Sequence, residues 1–157
     1  MSCLLRTAVG SDEPFLLEML YLALFVPPGE PSLSRSVLGD PAIARYVEGW
    51  GTGARDCGLI AVVDGIAVGA AWQRCFRASE PGYGFVNEEI PEVSVAVLPA
   101  YRGRGIGSRL LEELLRGAEA TSLSCDPANP AWRLYRRLGF EPLPDGRTML
   151  RMLHSAG

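Results

Sequence analysis

The chain has 157 residues, 48% of them hydrophobic, which suits one compact domain and is too short for two. A net charge of −3 argues against a nucleic-acid surface, and no apolar run approaches the roughly 20 residues of a membrane span. Cys3, Cys57, Cys75 and Cys125 are scattered without a CxxC pair and His154 stands alone, which argues against a zinc site and fits reduced thiols in a cytoplasm.

Residues 3–8 read as a first strand, with Ser11 as N-cap of the helix that follows and Pro14 in its first turn. Phe15, Leu16, Met19, Leu20, Ala23 and Leu24 give that helix a broad apolar surface. The run Pro27-Pro28-Gly29-Glu30-Pro31 ends it, and a polar link runs to Ser36. A second helix is expected within 41–50, stopped by Gly51-Thr52-Gly53. Apolar runs at 59–63 and 66–75 flank Asp64-Gly65, a hairpin signal, and 77–91 reads as a loop.

Val93, Val95 and Val97 then alternate with smaller residues as a strand does, and Pro99 stops the ladder. Gly103, Gly105 and Gly107 make a glycine–arginine loop, and from Ile106 the residues Leu110, Leu111, Leu114 and Leu115 recur at helical spacing. The link to the next strand, 121–125, is short, so this helix ends early. Pro130 opens a helix over 131–138 with Asn129 as a cap, and 140–143 pairs with 148–153 around Pro144-Asp145-Gly146. The order is mixed α/β, with Trp50, Trp72 and Trp132 in the core or at its rim.

A strand, a loop of free amides and a helix N-terminus together favour an anion, a phosphate above all. Gly105-Ile106-Gly107-Ser108 lacks the Gly-Lys-Ser/Thr of a nucleoside-triphosphate loop, and glycines at every second position miss the dinucleotide spacing.

Arg102-Gly103-Arg104-Gly105-Ile106-Gly107 fits the pattern Arg/Gln-x-x-Gly-x-Gly/Ala, preceded by Val97-Leu98-Pro99. With the later block from Asn129 to Phe140 and the opening Leu5-Arg6-Thr7-Ala8 and Ser11-Asp12-Glu13-Pro14, the chain resembles the GNAT superfamily of acetyl-CoA-dependent N-acetyltransferases. The resemblance spans almost the whole chain in the right order. It implies one domain over 1–157 with a central mixed, mostly antiparallel sheet of six to seven strands, about four helices, and a splay between the two central strands.

It also implies acetyl-CoA as acetyl donor, with no metal. The amides of Arg102, Gly103, Arg104, Gly105, Ile106, Gly107 and Ser108 would wrap its pyrophosphate, and the two arginines would add contacts there or at the 3′-phosphate. Its pantetheine arm would pair with Val95, Ala96 and Val97, where a bulge frees an N–H near Val95 or Ala96 for the thioester carbonyl. Tyr135 takes the family's acid position, although it also lies on an apolar stripe with Ala131, Leu134 and Leu138. Asn129 is either a cofactor contact or a helix cap. Glu92 is the base, with Glu88 and Glu89 competing, and Cys125 as a nucleophile is disfavoured because no histidine is placed to activate it.

A primary-amine acceptor would enter between segment 25–36, loop 82–85 and the turn at Asp145. Glu30, Glu80, Glu88, Glu89 and Glu92 would make that mouth acidic. The implied activity is N-acetyl transfer by direct attack in a ternary complex, the alternative a non-catalytic acyl-CoA sensor or interaction module. The implied setting is cytoplasmic, with a homodimer as the protein partner and neither nucleic acid nor membrane.

Overall fold

A computed structural model describes residues 2–153. The strands are β1 (Cys3–Thr7), β2 (Cys57–Val63), β3 (Ile66–Arg74), β4 (Glu92–Val97), β5 (Ala120–Ser124), β6 (Glu141–Pro142) and β7 (Thr148–Met152). The helices are α1 (Glu13–Ala23), α2 (Pro41–Ala44), α3 (Ile106–Leu114) and α4 (Ala131–Arg137). All seven strands form one sheet in the order β1-β2-β3-β4-β5-β7-β6. Every pairing is antiparallel except β4 with β5. Among the described residues no helix is long and apolar enough to cross a membrane.

The sheet is covered on both faces. Leu16, Met19 and Leu20 of α1, with Ile43 of α2 and Tyr46, Val47 and Trp50 after it, pack on Ile60, Ala70, Trp72 and Ala96. On the other face Ile106, Leu110 and Leu111 of α3 meet Val63, Val68 and Val93, with Leu123, Phe140 and Met149 beyond. Trp72 and Trp50 are fully buried core residues, and Trp132 is half-buried beside the second cluster.

Local chemistry departs from expectation at three elements. Ser11 does not cap α1. A short 3-10 turn at Gly10–Asp12 precedes the helix, and the Asp12 carboxylate accepts from Val9 N at 2.8 Å while pairing with Arg6 at 2.7 Å. The helix expected over 41–50 is one α-turn, capped by Asp40 accepting from Ala42 N at 3.0 Å. It tightens into bonds from Tyr46 N to Ile43 O and from Val47 N to Ala44 O, which turn the aromatic side chains down onto the sheet. The last strand pair shrinks to two residues in β6, and α3 ends at Leu114, as the short link requires.

The hairpin forms as read. Asp64 (φ 51°) and Gly65 (φ 78°) both adopt left-handed conformations, the geometry whose twist matches the strands. No atom lies within 4 Å of a methyl added at Gly65, so Gly65→Ala should cost only backbone strain, about 1–2 kcal/mol. A lowered urea midpoint at constant m measures it, and an unchanged midpoint would show that the turn relaxes to another type.

β4 and β5 touch at one register pair, Glu92 with Ser122, and then diverge. This splay does not come from a bulge in β4, whose register with β3 runs unbroken from Gly69–Val97 to Arg74–Glu92. The sheet's register shift lies instead between β2 and β3, where Ala61 pairs with Gly69 and Val62 with Ala67, leaving Val68 of β3 as the extra residue. Beside Glu92 the loop at 82–85 lies on β5: a Cβ on Gly84 would fall 2.5 Å from the Leu123 carbonyl carbon, so the loop backbone rests directly on that strand.

Candidate active site

The splay leaves one edge of β4 without a strand, and the ladder says which groups face the gap. Leu98 N donates to Val68 O at 2.8 Å, so even-numbered residues of β4 bond to β3. On the other side Ser122 N donates to Pro91 O at 3.0 Å, as the alternation demands. The Ala96 N–H is therefore committed to β3, and the Val95 N–H is turned into the gap. Of the two amides proposed from the sequence, only Val95 has the right direction.

A groove of about 870 Å³ follows this edge. Val95, Ala96 and Val97 form its floor, and Arg102, Gly103, Gly105, Ile106, Gly107 and Ser108 line one end. Gly105, at φ 78°, turns the chain into α3, and the first helical bond runs from Arg109 N to Gly105 O at 3.0 Å. The N–H groups of Ile106, Gly107 and Ser108 precede it and have no acceptor in the helix. Arg102 ties the loop to the strand by donating Nε to Val97 O at 3.0 Å. Arg104 does not line the groove; its guanidinium lies over the Tyr101 ring at 5.3 Å. All 15 basic residues of the chain are arginines.

A second chamber of about 270 Å³ adjoins the groove, and Phe25, Val95, Asn129 and Tyr135 line both. Asn129 caps α4 by accepting from Ala131 N at 2.9 Å and still borders the two spaces. Tyr135 packs edge-on to Phe140 at 6.1 Å. Burial, and then the neighbouring Cys125, push its phenol above the ordinary value. Its hydroxyl has no hydrogen-bond partner among the described residues. Cys125 is buried, donates Sγ–H to Asp126 O at 3.4 Å, and is pushed up to about 11 by burial, so its thiol stays protonated. His154 lies outside the described residues.

Glu92 sits in the chamber at 3% exposure. Gly84 N donates to its Oε1 at 3.0 Å, and the Tyr46 hydroxyl donates to its Oε2 through a short bond. Burial pushes the carboxyl up to about 7, while those two donors pull it back down. Glu88 and Glu89 are exposed and line neither space; Glu88 accepts from Ala78 N at 2.9 Å and braces the loop. Glu30 and Glu80 are exposed and absent from both linings too, so the expected acidic mouth reduces to Glu92 and Asp126. Arg147 stands 3.6 Å from Asp126, and Asp145 acts structurally, accepting from Thr148 N at 2.7 Å.

The geometry brings Glu92, Val95, Asn129 and Tyr135 around one junction. Sequence reasoning missed Tyr46, Asp126 and Arg147 in the chamber wall. Tyr46 carried only a core signal, three residues after Ile43 on an apolar face, and nothing in the spacing links it to residue 92.

The site thus has two parts, a groove along the free edge of β4 and a smaller chamber that holds Glu92. A family model for the acetyltransferase (GNAT) domain matches residues 52–142, more than half of the chain, and the chain belongs to that family. The GCN5-like protein acetyltransferase Rv2170 of Mycobacterium tuberculosis is 39% identical over 67 residues, which is 39% of this chain and 30% of that protein. The match thus spans less than a third of that curated relative. Among solved structures, yncA of Salmonella typhimurium with its cofactor acetyl-CoA superposes at TM-score 0.66 and 21% identity, covering 100% of this chain and 97% of that one. The ribosomal-protein-alanine N-acetyltransferase of Brucella melitensis gives TM-score 0.60 at 27% identity, covering 96% and 99%.

Proposed function

We propose that residues 1–157 form one domain that transfers the acetyl group of acetyl-CoA to a primary amine, by direct attack while both substrates are bound. The observation that carries this reading is the junction at Tyr135: a groove with amides at one end and a free strand edge along its floor opens onto a chamber holding a buried carboxylate. The residues present fit acetyl-CoA. The N–H groups of Ile106, Gly107 and Ser108, with Arg102, Gly103 and Gly105, would hold its diphosphate, and the edge at Val95–Val97 would hold its amide arm. Arg104, stacked on Tyr101, is placed for an outer phosphate contact only.

When bound, acetyl-CoA supplies an activated carbonyl and a thiolate leaving group. The Val95 N–H donates to the oxygen on which charge develops, in a site whose donor is fixed before reaction. Glu92, poised near neutrality, accepts the proton of the attacking amine directly or through a water. Tyr135 donates its phenolic proton to the departing sulfur, and the raised phenol keeps that proton available. Asn129 fixes the start of α4 and with it the position of Tyr135. The names of the Salmonella and Brucella neighbours, one with acetyl-CoA and one an N-acetyltransferase, support the same reading. Four free thiols suit a cytoplasmic setting.

The test is thermal stability with acetyl-CoA, CoA, ATP and NAD in parallel, followed by thiol release with a panel of amines. At about 100 times its dissociation constant a ligand adds about 2.7 kcal/mol, a shift of several degrees. A shift with the CoA compounds alone, together with thiol release, supports transfer. A shift without release on any amine leaves the sensor reading, and no shift removes acetyl-CoA from the account. Gly105→Val, which forces a β-branched residue to φ 78° although no atom blocks its Cβ, should weaken acetyl-CoA binding by about tenfold and leave kcat at saturating donor near wild type. Unchanged affinity, read by calorimetry, would take the loop amides out of donor binding.

A further inference from the structure

We propose that Tyr46 is the positioning residue for Glu92, locked onto it by the backbone of the 82–84 loop. The proposal rests on Glu92 being the base, and it assigns to the turn after α2 a share in building the acceptor side of the site. Three observations carry it.

The first is the bonding pattern. Both oxygens of Glu92 meet a donor, Gly84 N at Oε1 and the Tyr46 hydroxyl at Oε2. Tyr83 N in turn donates to the Tyr46 oxygen at 2.7 Å. The tyrosine thus has its proton aimed at the carboxylate by a backbone amide behind it, and adjacent residues of one loop brace both members of the pair. This arrangement of donors suits the ionised carboxylate, which accepts only.

The second is anchorage. Tyr46 is 7% exposed, with its ring 4.9 Å from Phe76 and stacked on Tyr83 at 6.5 Å. Trp72 Nε1 donates to Tyr46 O at 3.1 Å, and Arg45 Nη1 donates to Pro81 O at 2.8 Å, which pins turn and loop together. The hydroxyl is therefore fixed by packing from its own turn, from β3 and from the loop.

The third is space. A Cβ on Gly82 would land on Glu92 Oε1 and 2.8 Å from the Tyr46 oxygen, so only glycine lets the loop close over the pair. Tyr83 from the loop, and Asp126, Arg147, Cys125 and Tyr135 from across the chamber, are the other titratable or charged groups around Glu92. Among the described residues only Gly84 and Tyr46 donate to its carboxylate.

The experiment is a carbon-13 NMR titration of glutamate-labelled protein, with the Glu92 signal assigned by its loss in Glu92→Gln. It is run on wild type and on Tyr46→Phe beside pH profiles of kcat/KM. Removing the hydroxyl should raise the Glu92 midpoint by about one pH unit. The rising limb of kcat/KM should move with it, giving about a fivefold loss at pH 7 and almost none at pH 9, with the KM for acetyl-CoA unchanged. An unmoved Glu92 midpoint, or a loss equal at every pH, would overturn the proposal and leave Tyr46 as packing alone. If Tyr46→Phe does not fold, Gly82→Ala, which wedges a methyl between the two side chains, replaces it with the same expected shift and the same overturning result. The titration does not depend on turnover. A wild-type protein that acetylates no amine would remove the proposed function while the midpoint still decides the role of Tyr46.

Discussion

Glu92→Gln should lower kcat/KM for the amine by about 10²–10⁴, the range that a positioned proton acceptor contributes. The loss should persist at saturating acetyl-CoA, because the side chain lies in the smaller chamber and not along the groove proposed to hold the donor. Retention of more than a tenth of wild-type activity would move the base to water alone. The same variant reports on stability. The Glu92 carboxyl is pushed up to about 7 by burial, against an ordinary 4.5. Between those values the folded chain keeps a proton that the unfolded chain has released, so stability falls as pH rises through that window. Below the window the group contributes nothing. Above it the full cost of holding a buried charge applies, about 3 kcal/mol. Glutamine does not titrate, so the melting temperature of the variant should gain on wild type between pH 5 and pH 8. Parallel melting curves across that range would show that Glu92 is ionised at its ordinary value.

Tyr135→Phe should reduce kcat by about a hundredfold, at the lower end of what general acid catalysis supplies. Affinity for acetyl-CoA should be spared. Phenylalanine keeps the ring that meets Phe140 edge-on, so melting temperature should hardly change, and this separates the packing role of the ring from the chemical role of the hydroxyl. Burial keeps the phenol protonated well past neutrality, and no loss of activity from its ionisation is expected below pH 10. Full turnover in the variant would pass the leaving-group proton to solvent.

The groove side of this site was legible because it is local. Strand, loop and helix start lie within the sixteen residues from Val93 to Ser108, and periodicity, Pro99 and the glycines mark each boundary. The hairpin at Asp64-Gly65 was equally plain, since two adjacent left-handed residues strongly favour a pair such as Asp-Gly. The chamber side is built from distant pieces. Tyr46 reaches Glu92 across 46 positions, and Gly82 and Gly84 matter for the volume they leave empty, which no propensity records. Charge alone misled: Glu88 and Glu89 stand beside Glu92 in the chain, but only Glu92 belongs to the strand and is carried inward by the pleat. The splay was correctly expected, whereas the bulge in β4 expected with it is absent from the register with β3.

All 15 Lys/Arg positions of the chain are arginine, Arg102 at the groove included. A guanidinium remains protonated at any pH the fold tolerates and has no lone pair to offer a thioester, whereas a lysine amine so placed would compete with the true acceptor. A protein that held an activated acyl group beside such residues would thereby be spared lysine self-modification. In any reaction mixture, acetyl-lysine detected by antibody or mass spectrometry must have come from another molecule, so the chain is its own blank.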